Sequence, residues 1–162
     1  MKQTAFFIQA IEAMQRECQR LEAITGELDK QPSERKAHMA EYKCAKYRYA
    51  GVSNIQSIFY HSHRVAESLA HTHYLPPHME PLFLASPAWV EAYKAADETD
   101  RPDIALMGAT LAFTEDKITE NRQKRAHAND WEAVELDQRL GGYEFAKACL
   151  LEAWNNRTEV KL

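Results

Sequence analysis

The chain has 162 residues and a mass of 18.6 kDa, a size suited to one folded domain. Hydrophobic residues make up 45% and charged residues 27%, ordinary globular values that exclude a disordered or fibrous chain. Twenty Lys and Arg against 24 Asp and Glu leave a net charge of −4, which argues against a general nucleic-acid coat while leaving room for a local basic patch.

Three cysteines, Cys18, Cys44 and Cys149, are odd in number and far apart, the pattern of reduced thiols in a cytoplasmic protein. The apolar stretch from Ala5 to Ile8 soon meets Gln9, Glu12, Arg16 and Glu17. A secretory segment needs about 7–15 apolar residues, so none is expected here. The uncharged stretches Pro81–Val90 and Ile104–Thr114 are about half the length of a membrane span, so no membrane partner is expected either.

Apolar residues then mark out helices almost everywhere. Phe7, Ile11, Met14, Cys18, Leu21 and Leu28 share one heptad seam interrupted only by Thr25, an amphipathic helix with coiled-coil spacing that also suits an intramolecular hairpin. After Asp29–Ser33, with Ser33 as candidate cap, a second helix carries Tyr42, Ala45, Tyr49 and Val52. Ser53 and Gln56 have capping-box spacing beside Gly51, so the pattern reads as a kinked but nearly continuous helix running on to about Tyr74.

Pro76 and Pro77 stop that element, and Pro81 and Pro87 follow within a connector holding at most a short helical turn. Ser86-Pro87 opens a helix to about Glu98, and Thr99–Pro102 opens the next. From Ile104 to Phe113 that helix is apolar all round and should be buried, whereas Thr114–Arg125 is polar. Asn129-Asp130 caps a segment with Trp131, Val134 and Leu140, and after Gly141-Gly142 a last helix aligns Tyr143, Ala146, Leu150 and Trp154. No strand alternation and no hairpin dipeptide is found. The expected fold is all-α: a helical bundle of five to six helices on a long antiparallel pair. It would form one domain over 1–162, with a hairpin over 1–75 and shorter helices over 76–162 packed on it.

Three constellations carry candidate chemistry. The first is the histidine cluster His61, His63, His71, His73 and His78. Its best metal geometry is His63, Glu67 and His71 on one helical face. The two histidines would lie about 12 Å apart along the axis, so one ion cannot take all three. The expected reading is a set of side-chain pairs around Glu67, with no metal and no cofactor.

The second is the basic stretch Lys30–Arg48, where Lys36, Lys43 and Lys46 lie near one helical line with Tyr42, Tyr47 and Tyr49 interleaved. Its opposite is Glu80–Asp103, with six acids and two bases. The third is nucleophilic: Cys44 sits among Lys43 and Lys46, but no nucleophile elbow, phosphate loop or paired base accompanies it.

Catalysis thus lacks a motif, and the surplus of large aromatics, among them Trp89, Trp131 and Trp154, points to binding. The expectation is a non-enzymatic interaction protein, an adaptor or inhibitor that occupies another macromolecule's surface, with self-association left open. Accessory factors of larger machines, phages and plasmids fall in this class, though no residue here selects one. The alternatives are a nucleic-acid-associated factor using Lys30–Arg48 and a metal-dependent helical enzyme using the His61–His78 cluster. Two partner-binding surfaces compete. One is the proline connector with Met79, Leu82, Phe83 and Trp89, expected to be the hydrophobic centre; the other is the face of Lys36, Lys43, Lys46 and Tyr47, expected to steer an acidic partner.

Overall fold

Seven helices and no strand form the described part of the chain: α1 (Ala5–Asp29), α2 (Pro32–Ala37), α3 (Met39–Ser68), α4 (Glu80–Leu84), α5 (Pro87–Ala95), α6 (Arg101–Ala126) and α7 (Asp130–Asn156). This computed structural model describes residues 5–68 and 79–157, with side chains over 6–62 and 79–157. The all-α bundle is as expected, and the helix count is slightly higher. The residues fall into two compact units, one from Ser57 to Asp116 and one combining the chain up to Gln56 with the chain from Lys117 onward.

In the second of these units α1 and α3 lie side by side and antiparallel. Gln56 donates to Gln15 at 2.7 Å and accepts from Cys18 at 3.7 Å, while Tyr49, further back along α3, bonds Glu22, further along α1. The α1 seam is buried at Phe7, Met14, Cys18 and Leu21. Phe6 and Ala10 are buried as well, because α1 also packs on α7, where Phe6 meets Trp154 edge-on at 5.1 Å. A seam that serves two neighbours needs a wider apolar stripe than a coiled coil does. Thr25 is absorbed into the helix by donating to the Leu21 and Glu22 carbonyls.

The helix continues through Gly51, as the nearly continuous reading expects, and the break expected at Gly141-Gly142 is absent: both α3 and α7 run straight through. A Cβ on Gly51 would fall 2.5 Å from the Arg139 carbonyl oxygen and 3.0 Å from Gly142 Cα. One on Gly142 would overlap the Arg48 carbonyl oxygen. The glycines let two helix backbones touch, which costs helix propensity of about 1 kcal/mol each and is repaid by close packing.

Ser33 does not cap a helix: α2 begins at Pro32 after Gln31, and a separate turn at His38 precedes α3. The capping box is found instead at α7. There Asn129 accepts from the Trp131 and Glu132 amides and Glu132 accepts from the Asn129 amide.

In the 57–116 unit, α4 supplies the core. Met79 is 0% and Phe83 7% exposed, packed with Ala105 and Ala109 of α6 and flanked by Ile58, Leu82, Trp89, Val90 and Tyr93. Phe83 meets Tyr93 edge-on at 5.6 Å. Of the stretch Ile104–Phe113 expected to be buried, Ile104–Leu111 is buried throughout, while Ala112 and Phe113 are half-buried. Thr110 and Thr114, also buried, satisfy their hydroxyls by donating to the carbonyls four residues back at 2.8 Å.

Candidate functional site

Of the connector expected to present a hydrophobic centre, Met79 and Phe83 are inside the fold. Met79 and Phe83 lie four residues apart on one face of the α4 turn, so both point into the core and neither can reach a partner. Leu82 and Trp89 are half-buried against the same cluster. Proline at the start of α4 sets this turn, and an apolar run then buries whichever face meets α6. As a set of partner anchors, Met79 and Phe83 are corrected to core residues.

The basic face is a real surface and it lies on α2, α3 and α7. Lys36 and Lys46 are exposed, whereas Lys43 and Tyr47 are half-buried because α7 comes alongside them. Lys43 Nζ sits 3.6 Å from the centre of the Trp131 ring. One turn along, Tyr47 Oη donates to Glu135 Oε1 at 2.6 Å, and Arg139 Cζ lies 5.6 Å from the Tyr47 ring centre. The Glu135 carboxylate accepting that bond pushes the Tyr47 phenol above its usual value of 10. A ladder results in which Lys43, Trp131, Tyr47, Glu135 and Arg139 alternate charge and ring across two helices.

Trp131 is the least expected member. It is 55% exposed, and Val134, one turn on, is 44% exposed. Their spacing reads as a packing stripe, but the buried residue of that turn is Ala133. The acids Asp130, Glu132 and Glu135 flank the Trp131–Val134 pair in sequence. Beside it the turn between α6 and α7 shapes a groove of about 780 Å³, lined by His127, Glu132, Glu135, Leu136 and Arg139 among others.

Half of the local positive charge is already committed. Lys30 pairs with Glu27 at 3.2 Å, Arg35 with Asp29 at 3.1 Å and Arg48 with Glu17 at 2.9 Å. Glu17 also takes two bonds from Arg20, at 2.7 and 3.0 Å. Those bonds, helped by Arg48 and opposed by burial, hold the Glu17 carboxyl at about 2. The remaining cations Lys36, Lys43 and Lys46 form no ion pair among the described residues.

Nothing among the described residues gathers three metal-binding side chains. The side chains of His63, Glu67 and His71 lie outside the described residues, as do those of His73 and His78. Cys18 and Cys149 are buried, and burial raises both thiols to about 11, far from the thiolate a nucleophile requires. Cys44 is half-buried. No helix among the described residues is long and apolar enough to cross a membrane. No protein-family model, no curated protein and no solved structure matches this chain.

Proposed function

We propose that this protein is a non-enzymatic interaction protein of the cytoplasm, an adaptor or inhibitor that acts by covering a partner protein's surface with the α3–α7 face. The observation that carries the reading is Trp131, a half-open indole held in place by Lys43 at 3.6 Å and bordered by the groove at Glu132, Glu135 and Leu136. A large aromatic fixed by its neighbours loses little side-chain entropy on binding, which is why Trp and Arg dominate the energetics of interfaces. Lys36 on α2 and Lys46 on α3 lie exposed and would steer an acidic partner towards it.

A protein partner is favoured over nucleic acid by the charges themselves. Lys30, Arg35 and Arg48 are tied to carboxylates of this chain, which leaves only Lys36, Lys43 and Lys46 of the basic stretch for phosphates.

The test is affinity capture from the source cell with three baits: the natural chain, Trp131→Ala and Lys43→Glu. One protein retained by the natural bait at 50–100 mM salt (about one Debye length of 10–14 Å) should be lost with Trp131→Ala and reduced with Lys43→Glu. Equal capture by all three baits would refute the α3–α7 face, and recovery of nucleic acid alone would replace the protein partner.

A further inference from the structure

The first turns of α7 carry a knob and a hollow side by side. At about 100° per residue, Trp131 and Val134 share one stripe of the helix, and Glu132, Leu136 and Arg139 share the next. The first stripe stands out into solvent, with Trp131 55% and Val134 44% exposed. The second borders the groove of about 780 Å³, whose carbon floor is Leu136 with Ala128 of the α6–α7 turn, both half-buried. That volume lies within the range of about 300–1,000 Å³ in which pockets hold drug-sized groups, so one indole fits.

The charges around knob and groove carry both signs. Lys124 is taken by Glu120 at 2.6 Å and Arg125 by Asp137 at 2.9 Å. Glu132 accepts from the Asn129 amide and Glu135 from the Tyr47 hydroxyl, and neither meets a cation among the described residues. Lys43 and Arg139 rest on the Trp131 and Tyr47 rings and form no ion pair there either. Asp130, exposed beside Trp131, and His127 complete the border. Such a border selects neither a polyanion nor a polycation.

A surface that holds an aromatic knob, a hollow for one and uncommitted charges of both signs is complementary to itself. That is the requirement of a two-fold, isologous contact. Trp131 and Leu136 lie about 7.5 Å apart along α7, so an antiparallel pair of α7 helices brings each indole to the other copy's Leu136. The Lys43 ammonium that travels with each ring then faces Glu132 and Glu135 of the other copy. Across the pair, two Lys43 and two Arg139 offset the four groove carboxylates.

We infer that two copies of this chain pair through α7, each Trp131 seated in the other copy's groove against Leu136. The inference rests on the reading of the α3–α7 face as the binding surface and adds its control. The pair covers the Trp131 that a partner protein would use, so the partner takes the face from the monomer. Mass action sets the balance: a high chain concentration masks the face and dilution opens it.

The experiment is sedimentation velocity of the purified chain at concentrations from about 1 to 100 μM. The natural chain should pass from the mass of one chain to that of two. Trp131→Ala removes the knob and Leu136→Trp fills the hollow, and each should weaken the pair by at least about tenfold. The two variants mixed in equal amounts should pair more tightly than either alone, because the mixed dimer restores one knob in one hollow. This gain separates the contact from misfolding, which mixing cannot repair.

A single-chain mass at every concentration would overturn the inference. So would a dimer indifferent to both variants, or a mixture no tighter than its components. A chain that stays monomeric while capture from the cell still depends on Trp131 would overturn the pairing and leave the α3–α7 reading standing. A dimer that both variants weaken, with equal capture by all baits, would support the pairing and refute that reading.

Discussion

The connector from Met79 to Trp89 and the helical stretch from Lys36 to Tyr47 both mix aromatic with other side chains, yet the fold treats them in opposite ways. The connector has apolar residues at nearly every position and almost no charge, so its short helix turns Met79 and Phe83 into a core with Ala105 and Ala109. The second stretch has a lysine beside each tyrosine, so its rings cannot be buried without burying charge. They are shared with α7 at the surface instead, through Lys43 on Trp131 and Tyr47 on Glu135. An apolar cluster thus marked core, and an aromatic cluster interleaved with charge marked surface. Density of hydrophobic residues alone does not tell core from surface.

The comparison breaks most severely if the second surface loses its foundation. Gly142→Leu drives a side chain into the Arg48 carbonyl and the Gly51 backbone, and backbone cannot rotate aside as a side chain can. The expected cost is at least about 4 kcal/mol, read as a large fall in melting temperature. An unchanged melting temperature would mean that α3 and α7 do not touch at their glycines.

Phe83→Ala comes next. As a core residue Phe83 should cost about 3–4 kcal/mol in chemical denaturation, whereas Trp131→Ala, at the surface, should cost under about 1 kcal/mol. The reverse order would restore the connector as the exposed anchor.

A smaller effect follows from Glu17, whose carboxyl is held at about 2 against an ordinary value of 4.5. A depressed carboxylate stabilises the fold above its unfolded value, and that contribution is lost as the pH falls from 4.5 towards 2. With its side chain 11% exposed, Glu17 should contribute about 2–3 kcal/mol, and Glu17→Gln should flatten the acid limb of the stability curve. An acid limb that is the same in Glu17→Gln would show that the Arg20 and Arg48 bonds carry no net stability.

The helical class, most of the buried stretch of α6, the cap at Asn129 and the α1 seam were all legible from the sequence. Each depends on residues close together along one helix, where spacing and chemistry decide the outcome. Half of the candidate site was legible in the same way, since Lys36, Lys43, Lys46 and Tyr47 declared themselves by sharing one basic, tyrosine-bearing stretch. Trp131, Glu135 and Arg139, about ninety residues further along, did not.

Tertiary structure alone decided what the glycines do. Gly51, Gly141 and Gly142 are helix breakers to local reasoning and a contact surface to a neighbouring helix, and the energy of that contact exceeds the local preference it overrides. It also decided which side of α4 faces inward, because a five-residue helix is too short to show an apolar period. The chain's local chemistry determined its helices and their caps. Only the packing of one helix on another determined which aromatic rings are core and which, like Trp131, stay exposed.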